Sequence, residues 1–252
     1  MNKSRAKLLT KILLAIFTLL ALGVIGFVLW ANTPLAAQPE ALDALRSDSQ
    51  VIVEVNSEWI TFSPVTGIAR TGLVFYPGGR VDYRAYALPL RRIAASGYRV
   101  ILVRMPLNLA FFAPEKASEV ISEFSEVSRW VIGGHSLGGA MAAAYAYRHP
   151  EQIQGLVLWA AYPAQANSLS SRPLKVVSIY ATRDGLATLE KIQASRGLLP
   201  PDTRWVAIEG GNHSQFGSYG LQPGDGEATI SMQQQLAQVV EATVDLLEEI
   251  GK

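Results

Sequence analysis

The chain opens on an uninterrupted apolar stretch and then changes character. Ile12 to Ala31 (ILLAIFTLLALGVIGFVLWA) is twenty residues without a charge. As a helix rising about 1.5 Å per residue it reaches about 30 Å, enough to cross the hydrocarbon layer of a bilayer. Residues 32–48 turn more polar and read as a short linker. From residue 49 onward, short β-branched runs alternate with amphipathic stretches. Val51–Val55 and Trp59–Phe62 pattern as a hairpin turning near Asn56-Ser57. Leu73–Tyr76, Arg99–Val103, Trp130–Ile132, Leu156–Ala160, Lys175–Tyr180 and Arg204–Ile208 have the near-continuous apolar character of buried parallel strands. Between them, helical spacing covers Tyr83–Ser96, Pro114–Phe124, Leu137–His149, Leu186–Arg196 and Ile230–Ile250. This alternation predicts an α/β fold over residues 49–252, with a mostly parallel sheet and helices on both faces. One N-terminal transmembrane helix precedes it.

Charge orients the first segment. Lys3, Arg5, Lys7 and Lys11 all precede the apolar stretch, and no acid accompanies them. The positive-inside rule makes residues 1–11 a cytoplasmic basic tail and residues 12–31 a signal-anchor helix, with the rest outside the cell membrane. Trp30 then sits where an amphipathic ring suits the interface. A cleaved signal peptide, which would secrete the domain, has an apolar core of only about 7–15 residues. Beyond the anchor the chain holds 18 basic and 21 acidic residues with no basic stripe, which argues against nucleic-acid binding. The chain has no Cys, which excludes a disulfide scaffold, a Cys-ligated metal site and a thiol nucleophile.

The candidate chemistry lies at the ends of the expected strands. Gly134-His135-Ser136-Leu137-Gly138 is a G-x-S-x-G pentapeptide between the run Trp130–Ile132 and a small-residue helix. Such a turn is sharp, and it holds the Ser136 hydroxyl clear of the sheet at a helix N-terminus. A serine hydroxyl is a weak nucleophile and needs a base. Of the three histidines, His135 lies inside the turn with its side chain expected to point away from Ser136. His149 ends a helix, and His213 follows the last strand. His213 is therefore the candidate base. The acid that orients it is expected between residues 136 and 213. Asp184, a few residues past a buried strand, is preferred, and Glu209 is the fallback. An oxyanion needs two N–H donors. Leu137, after the nucleophile, supplies one. The loop Pro77-Gly78-Gly79-Arg80 supplies the other, with Gly79 preferred and Gly78 or Arg80 open.

With these residues the chain resembles the α/β-hydrolase superfamily over essentially all of residues 49–250. The segments Tyr76-Pro-Gly-Gly-Arg-Val, Met105-Pro-Leu-Asn-Leu, Gly134-His-Ser-Leu-Gly-Gly and Gly211-Asn-His-Ser-Gln-Phe-Gly resemble its dienelactone-hydrolase-like branch. The resemblance implies an eight-stranded sheet, Ser136 as nucleophile, Asp184 as acid and His213 as base. Two departures stand out: Pro77-Gly78-Gly79 replaces the His-Gly of many lipases and esterases, and Ser136 replaces the Cys of dienelactone hydrolase itself. The stretch Ala161 to Pro173, where relatives insert lids, is too short for one. Met105, Phe112, Tyr162 and Phe216 are candidate walls of an acyl pocket, with Phe111 and Trp159 as further possibilities. Asp225, one carboxylate in a glycine turn, is weak evidence for a metal site.

These readings predict a membrane-anchored extracytoplasmic serine hydrolase of a small acyl substrate (ester, lactone or thioester) that works without metal or organic cofactor. The alternatives are an acyltransferase with the same triad and a non-catalytic, membrane-tethered binding module.

Overall fold

The structure is a computed structural model that describes residues 3–67 and 69–252. Its first element is a single helix, α1 (Lys3–Ala31). Residues 11–30 are exposed along it apart from the half-buried Ala21. By length and composition this helix is able to cross a membrane.

The segment after α1 is not the free linker its polarity suggests. Leu35 pairs in a parallel bridge with Val81, and the Gln38 N–H bonds the Ser218 carbonyl at 2.8 Å. A short helix, α2 (Pro39–Asp43), buries Ala41 against the body. Apolar residues spaced among the polar ones, Leu35, Ala41 and Ala44, account for this docking.

The body follows the expected alternation. β1 (Val51–Val55) and β2 (Trp59–Pro64) form the hairpin, with the Asn56 side chain accepting the Glu58 and Trp59 N–H groups at the turn. β3 (Thr71–Tyr76) is buried at every position. The segment expected as one helix from Tyr83 divides into a 3-10 turn, Tyr83–Tyr86, and α3 (Ala87–Ala95). Pro89 then lies in the first turn of α3, where its missing N–H costs no helical bond. β4 (Arg99–Val103), α4 (Lys116–Glu123), β5 (Arg129–His135), α5 (Leu137–Arg148), β6 (Gly155–Trp159) and β7 (Lys175–Ala181) follow. α6 (Leu189–Ala194) starts later than its hydrophobic spacing indicates, because Leu186 and Ala187 donate their N–H groups to the Asp184 side chain instead. β8 (Arg204–Ile208) and α7 (Met232–Gly251) complete the chain. α7 begins at a reciprocal cap between Ser231 and Gln234, a device that contributes about 1 kcal/mol.

The eight strands form one sheet in the order β1-β2-β4-β3-β5-β6-β7-β8. β2 is antiparallel to both neighbours, and every pairing from β4 through β8 is parallel. Side chains alternate between the two faces. Leu73, Phe75, Val131, Val157, Trp159, Val177 and Ile179 face a core shared with α3 and α7. Val74, Tyr76, Ile132, Leu156, Leu158 and Val176 face the second core, with α4 and α5. From the central β3 the chain winds outward to β4, then crosses back to β5 and proceeds the other way. That reversal opens a crevice beyond the carboxyl ends of β3 and β5, the place where open parallel sheets bind ligands.

Candidate active site

Backbone strain concentrates at this edge of the sheet. Among the described residues, the non-glycine positions with positive φ are Arg80, Leu107, Asn108, Ser136 and Ala160. They follow β3, β4, β5 and β6 at their carboxyl ends. Each costs on the order of 1–3 kcal/mol, and such residues gather where function requires them.

Ser136 joins β5 to α5 at φ 52° and ψ −121°. Its N–H bonds the Trp159 carbonyl at 3.0 Å, and its own carbonyl accepts the Ala140 N–H at 3.0 Å. The turn closes so tightly that glycine is required on both sides. A Cβ on Gly134 would sit 2.6 Å from the Gly138 backbone, and one on Gly138 would collide with the carbonyl oxygens of Tyr76 and Pro77. Strand parity sends the side chain before it, His135, to the same face as Val131, among Tyr86, Phe216 and Tyr219.

The structure brings Asp184 and His213 together. His213 Nδ1 lies 2.8 Å from Asp184 Oδ2, with both side chains buried. Asp184 Oδ1 accepts the N–H groups of Leu186 and Ala187 at 2.8 and 2.7 Å, so this carboxylate is fixed in rotation. His213 Nε2 is buried and makes no hydrogen bond. Ser136 lines one pocket with Leu186 and Ala187, the residues that hold Asp184. Glu209, the fallback acid, is exposed.

Three residues brace the loops of the site; Gln235 and Tyr86 carry no sequence signal, and Asp225 shows only as a carboxylate in a glycine turn. Gln235, buried on α7, accepts the Asn212 N–H at 3.0 Å and donates to the Asn212 carbonyl at 2.8 Å. The Asp225 carboxylate accepts N–H groups from Gly185, His213, Ser214 and Gly226 and the Ser214 hydroxyl, joining the acid loop to the histidine loop. That occupancy explains a carboxylate in the glycine turn without a metal.

The third is Tyr86. Its hydroxyl accepts the Gly78 N–H at 3.1 Å and lies within hydrogen-bond distance, 2.8 Å, of His135 Nδ1. Burial first, and the neighbouring His213 second, hold His135 well below the usual histidine value of 6.5. A neutral ring thus lies 4.4 Å from His213, centroid to centroid. Replacing Tyr86→Phe leaves the buried Gly78 N–H and His135 Nδ1 without partners. The expected loss is about 1–3 kcal/mol, read as a fall of several degrees in the melting temperature of the detergent-solubilised chain. An unchanged melting temperature contradicts a bracing role for Tyr86.

The His135 environment also sets a pH dependence. Below about pH 6.5 the unfolded chain binds a proton at His135 that the folded chain refuses, so stability falls as pH falls. The wild type is expected to lose more melting temperature between pH 7 and pH 5 than His135→Gln. Equal losses contradict this.

The oxyanion candidates are adjacent. A Cβ on Gly79 would lie 3.0 Å from Leu137 Cδ2. Of the three loop residues left open by the sequence, Gly78 gives its N–H to Tyr86 and Arg80 gives its own to the Asn108 carbonyl at 2.8 Å. Among the hydrogen bonds of the described residues, the Gly79 N–H is uncommitted.

The pocket candidates disperse. Tyr162 lines the Ser136 pocket with Leu137, Ala140, Ala160 and Ala161. Phe216 does not reach it: it is fully buried, stacked on His135. Trp159 is fully buried on the α7 face, where its Nε1–H donates to Thr243. Met105 is buried in the core beside α4 and α5. Phe111 and Phe112 are half exposed, in a turn packed against α5.

Comparison with known proteins agrees with this architecture. Solved structures with the same fold include a dienelactone hydrolase from Anabaena variabilis, 14% identical with a TM-score of 0.60, covering 80% of this chain and 99% of that one. A predicted CIB-like hydrolase from Thermoplasma acidophilum is 19% identical with a TM-score of 0.55, covering 79% and 98%. Est1E from Butyrivibrio proteoclasticus is 10% identical with a TM-score of 0.58, covering 79% and 100%. At these identities the likeness speaks to fold alone. A Mycobacterium phage D29 protein that carries the name putative non-heme haloperoxidase is 30% identical over 95 residues, and the match spans about a third of it, 34% of each chain. The model of the alpha/beta hydrolase family matches residues 72–237, well over half of the sequence and all of the site described above. The chain belongs to the alpha/beta hydrolase family.

Proposed function

We propose that this protein is a serine hydrolase of ester-type bonds, held to a membrane by α1 with its catalytic domain on the extracytoplasmic side. The observation that supports the reading is the buried His213–Asp184 pair, whose Nε2 makes no hydrogen bond and whose imidazole lies 4.4 Å from the ring of His135, the residue before Ser136. Asp184 holds the proton on His213 Nδ1, which leaves Nε2 with the lone pair a base requires. Catalytic hydrogen bonds to the nucleophile commonly tighten only with substrate bound.

Ser136 Oγ attacks the acyl carbonyl as its proton passes to His213 Nε2. The oxyanion that forms is held by the N–H groups of Leu137 and Gly79. His213 returns the proton to the departing alcohol or thiol, leaving an acyl-enzyme. Water then gives a proton to His213, attacks the acyl carbon and frees the acid with Ser136 restored. The neutral His135 beside His213 supports this cycle, because a charged neighbour would oppose formation of the imidazolium.

The test is turnover of p-nitrophenyl acetate, butyrate and octanoate by the full chain, with free acid measured in the presence and absence of a competing alcohol. Release of free acid as the main product is expected. Formation of the new ester in its place would make the protein an acyltransferase. No turnover of any ester by folded protein would contradict the reading.

A further inference from the structure

The end of α1 and the loops of the active site are built into one another. Arg80, the residue after Gly79, donates from Nε to the Trp30 carbonyl at 3.0 Å and from Nη2 to the Thr33 carbonyl at 2.9 Å. Its guanidinium also lies 4.2 Å from the Trp30 ring centroid. Asn108 Nδ2 donates to the Ala31 carbonyl at 2.9 Å. The last carbonyls of a helix have no partners within it, and at a bilayer surface they must find them elsewhere. Asn32 and Thr33 satisfy the Val28 and Leu29 carbonyls from the helix's own end, and the Trp30 and Ala31 carbonyls take side chains of the two strained loops after β3 and β4. No spacer separates the apolar helix from the catalytic domain.

This attachment fixes the depth of nearby groups. The Phe112 ring packs against Phe27, with centroids 6.2 Å apart. Phe27 lies four residues before the end of the apolar stretch, about 6 Å inside it along the helix axis. Phe112, and Phe111 tilted against it with centroids 4.3 Å apart, are 45% and 46% exposed. Among the described residues nothing covers the outer faces of these two rings, and at this level a bilayer would. Their turn packs on α5, whose first residues Leu137 and Ala140 line the Ser136 pocket.

We infer that the mouth of the active site opens onto the bilayer surface, with Phe111 and Phe112 inserted in it, and that the substrate is an amphiphilic ester whose acyl chain enters directly from the membrane. The inference rests on the hydrolase reading and on α1 as the membrane span. It adds the direction of entry and the apolar class of substrate.

The chain has no Cys, so single-cysteine variants carry one label each. Phe112→Cys, Phe111→Cys and Ser96→Cys are labelled with an environment-sensitive nitrobenzoxadiazole dye, and the full chain is reconstituted in phosphatidylcholine vesicles. Ser96 is exposed just before β4, at the opposite end of the strands. Labels at 111 and 112 are expected to be quenched by spin-labelled lipid and shielded from iodide, with the reverse at 96. Iodide access at 111 and 112 equal to that at 96 would overturn the inference.

A second arm compares a long-chain ester dissolved in the vesicles with water-soluble p-nitrophenyl acetate. In the double variant Phe111→Ser, Phe112→Ser the ratio of bilayer to soluble turnover should fall at least tenfold. An unchanged ratio would also overturn it. If neither ester is turned over, the hydrolase reading and the substrate class fail together, while the quenching result still decides whether this face meets the membrane.

Discussion

Ser136→Ala is expected to lower kcat for p-nitrophenyl acetate by about 10⁶, with little change in melting temperature. The size follows from the proposed mechanism: removing its nucleophile would abolish the covalent path and leave water acting beside the two proposed oxyanion donors, Leu137 and Gly79. A loss of 10⁶ corresponds to about 8 kcal/mol of transition-state stabilisation. The fold should tolerate the change. Ser136 makes its described hydrogen bonds through its backbone, and its N–H and carbonyl bonds survive in alanine. The positive φ at this position strains alanine as it strains serine, and Gly134 and Gly138 still admit the turn. A variant that keeps a tenth of the wild-type kcat removes Ser136 from the mechanism.

Asp184→Asn should cost about 10⁴ in kcat, and the geometry gives the reason. Oδ1 is pinned by the N–H groups of Leu186 and Ala187. An asparagine must therefore keep its carbonyl oxygen there and turn its NH₂ toward His213 Nδ1. That NH₂ donates, so Nδ1 becomes the acceptor and the imidazole proton moves to Nε2. A base with its lone pair on the wrong nitrogen cannot take the Ser136 proton. Steady-state kinetics on Asp184→Asn, with Asp184→Ala alongside, check this. A loss smaller than tenfold contradicts a role for Asp184 in orienting His213.

Much of this arrangement is legible in the amino-acid sequence. The strands of a parallel sheet are buried on both faces, so β3, β5, β6 and β7 read as apolar runs that few other structures produce. The G-x-S-x-G turn carries its own context of strand before and helix after. His213 stands out because the chain has only three histidines and the other two lie at unsuitable places.

What escapes a sequence reading is tertiary. Tyr86 meets His135 from 49 residues away, and Gln235 meets Asn212 across 23. No local pattern marks a tyrosine that ties a glycine loop to a histidine. Hydrophobic spacing places the start of α6 too early because it does not register an aspartate side chain competing for backbone N–H groups. Phe216 and Phe112 read alike as aromatic residues near the site, yet one lies behind His135 and the other faces out. Which way a loop residue points depends on the loop's path, which composition does not carry.

Everything proposed for the reaction depends on Ser136 being an activated nucleophile with His213 as its base. The most direct measurement is reaction of the full chain with a fluorophosphonate, followed by tryptic digestion and mass spectrometry. Cleavage after Arg129 and Arg148 releases residues 130–148, a peptide in which Ser136 is the sole serine. The phosphonyl mass is expected on this peptide at Ser136, with labelling lost in Ser136→Ala and sharply reduced in His213→Ala. Folded wild-type protein that takes no label, or takes it on another residue, would rule out Ser136 as the nucleophile.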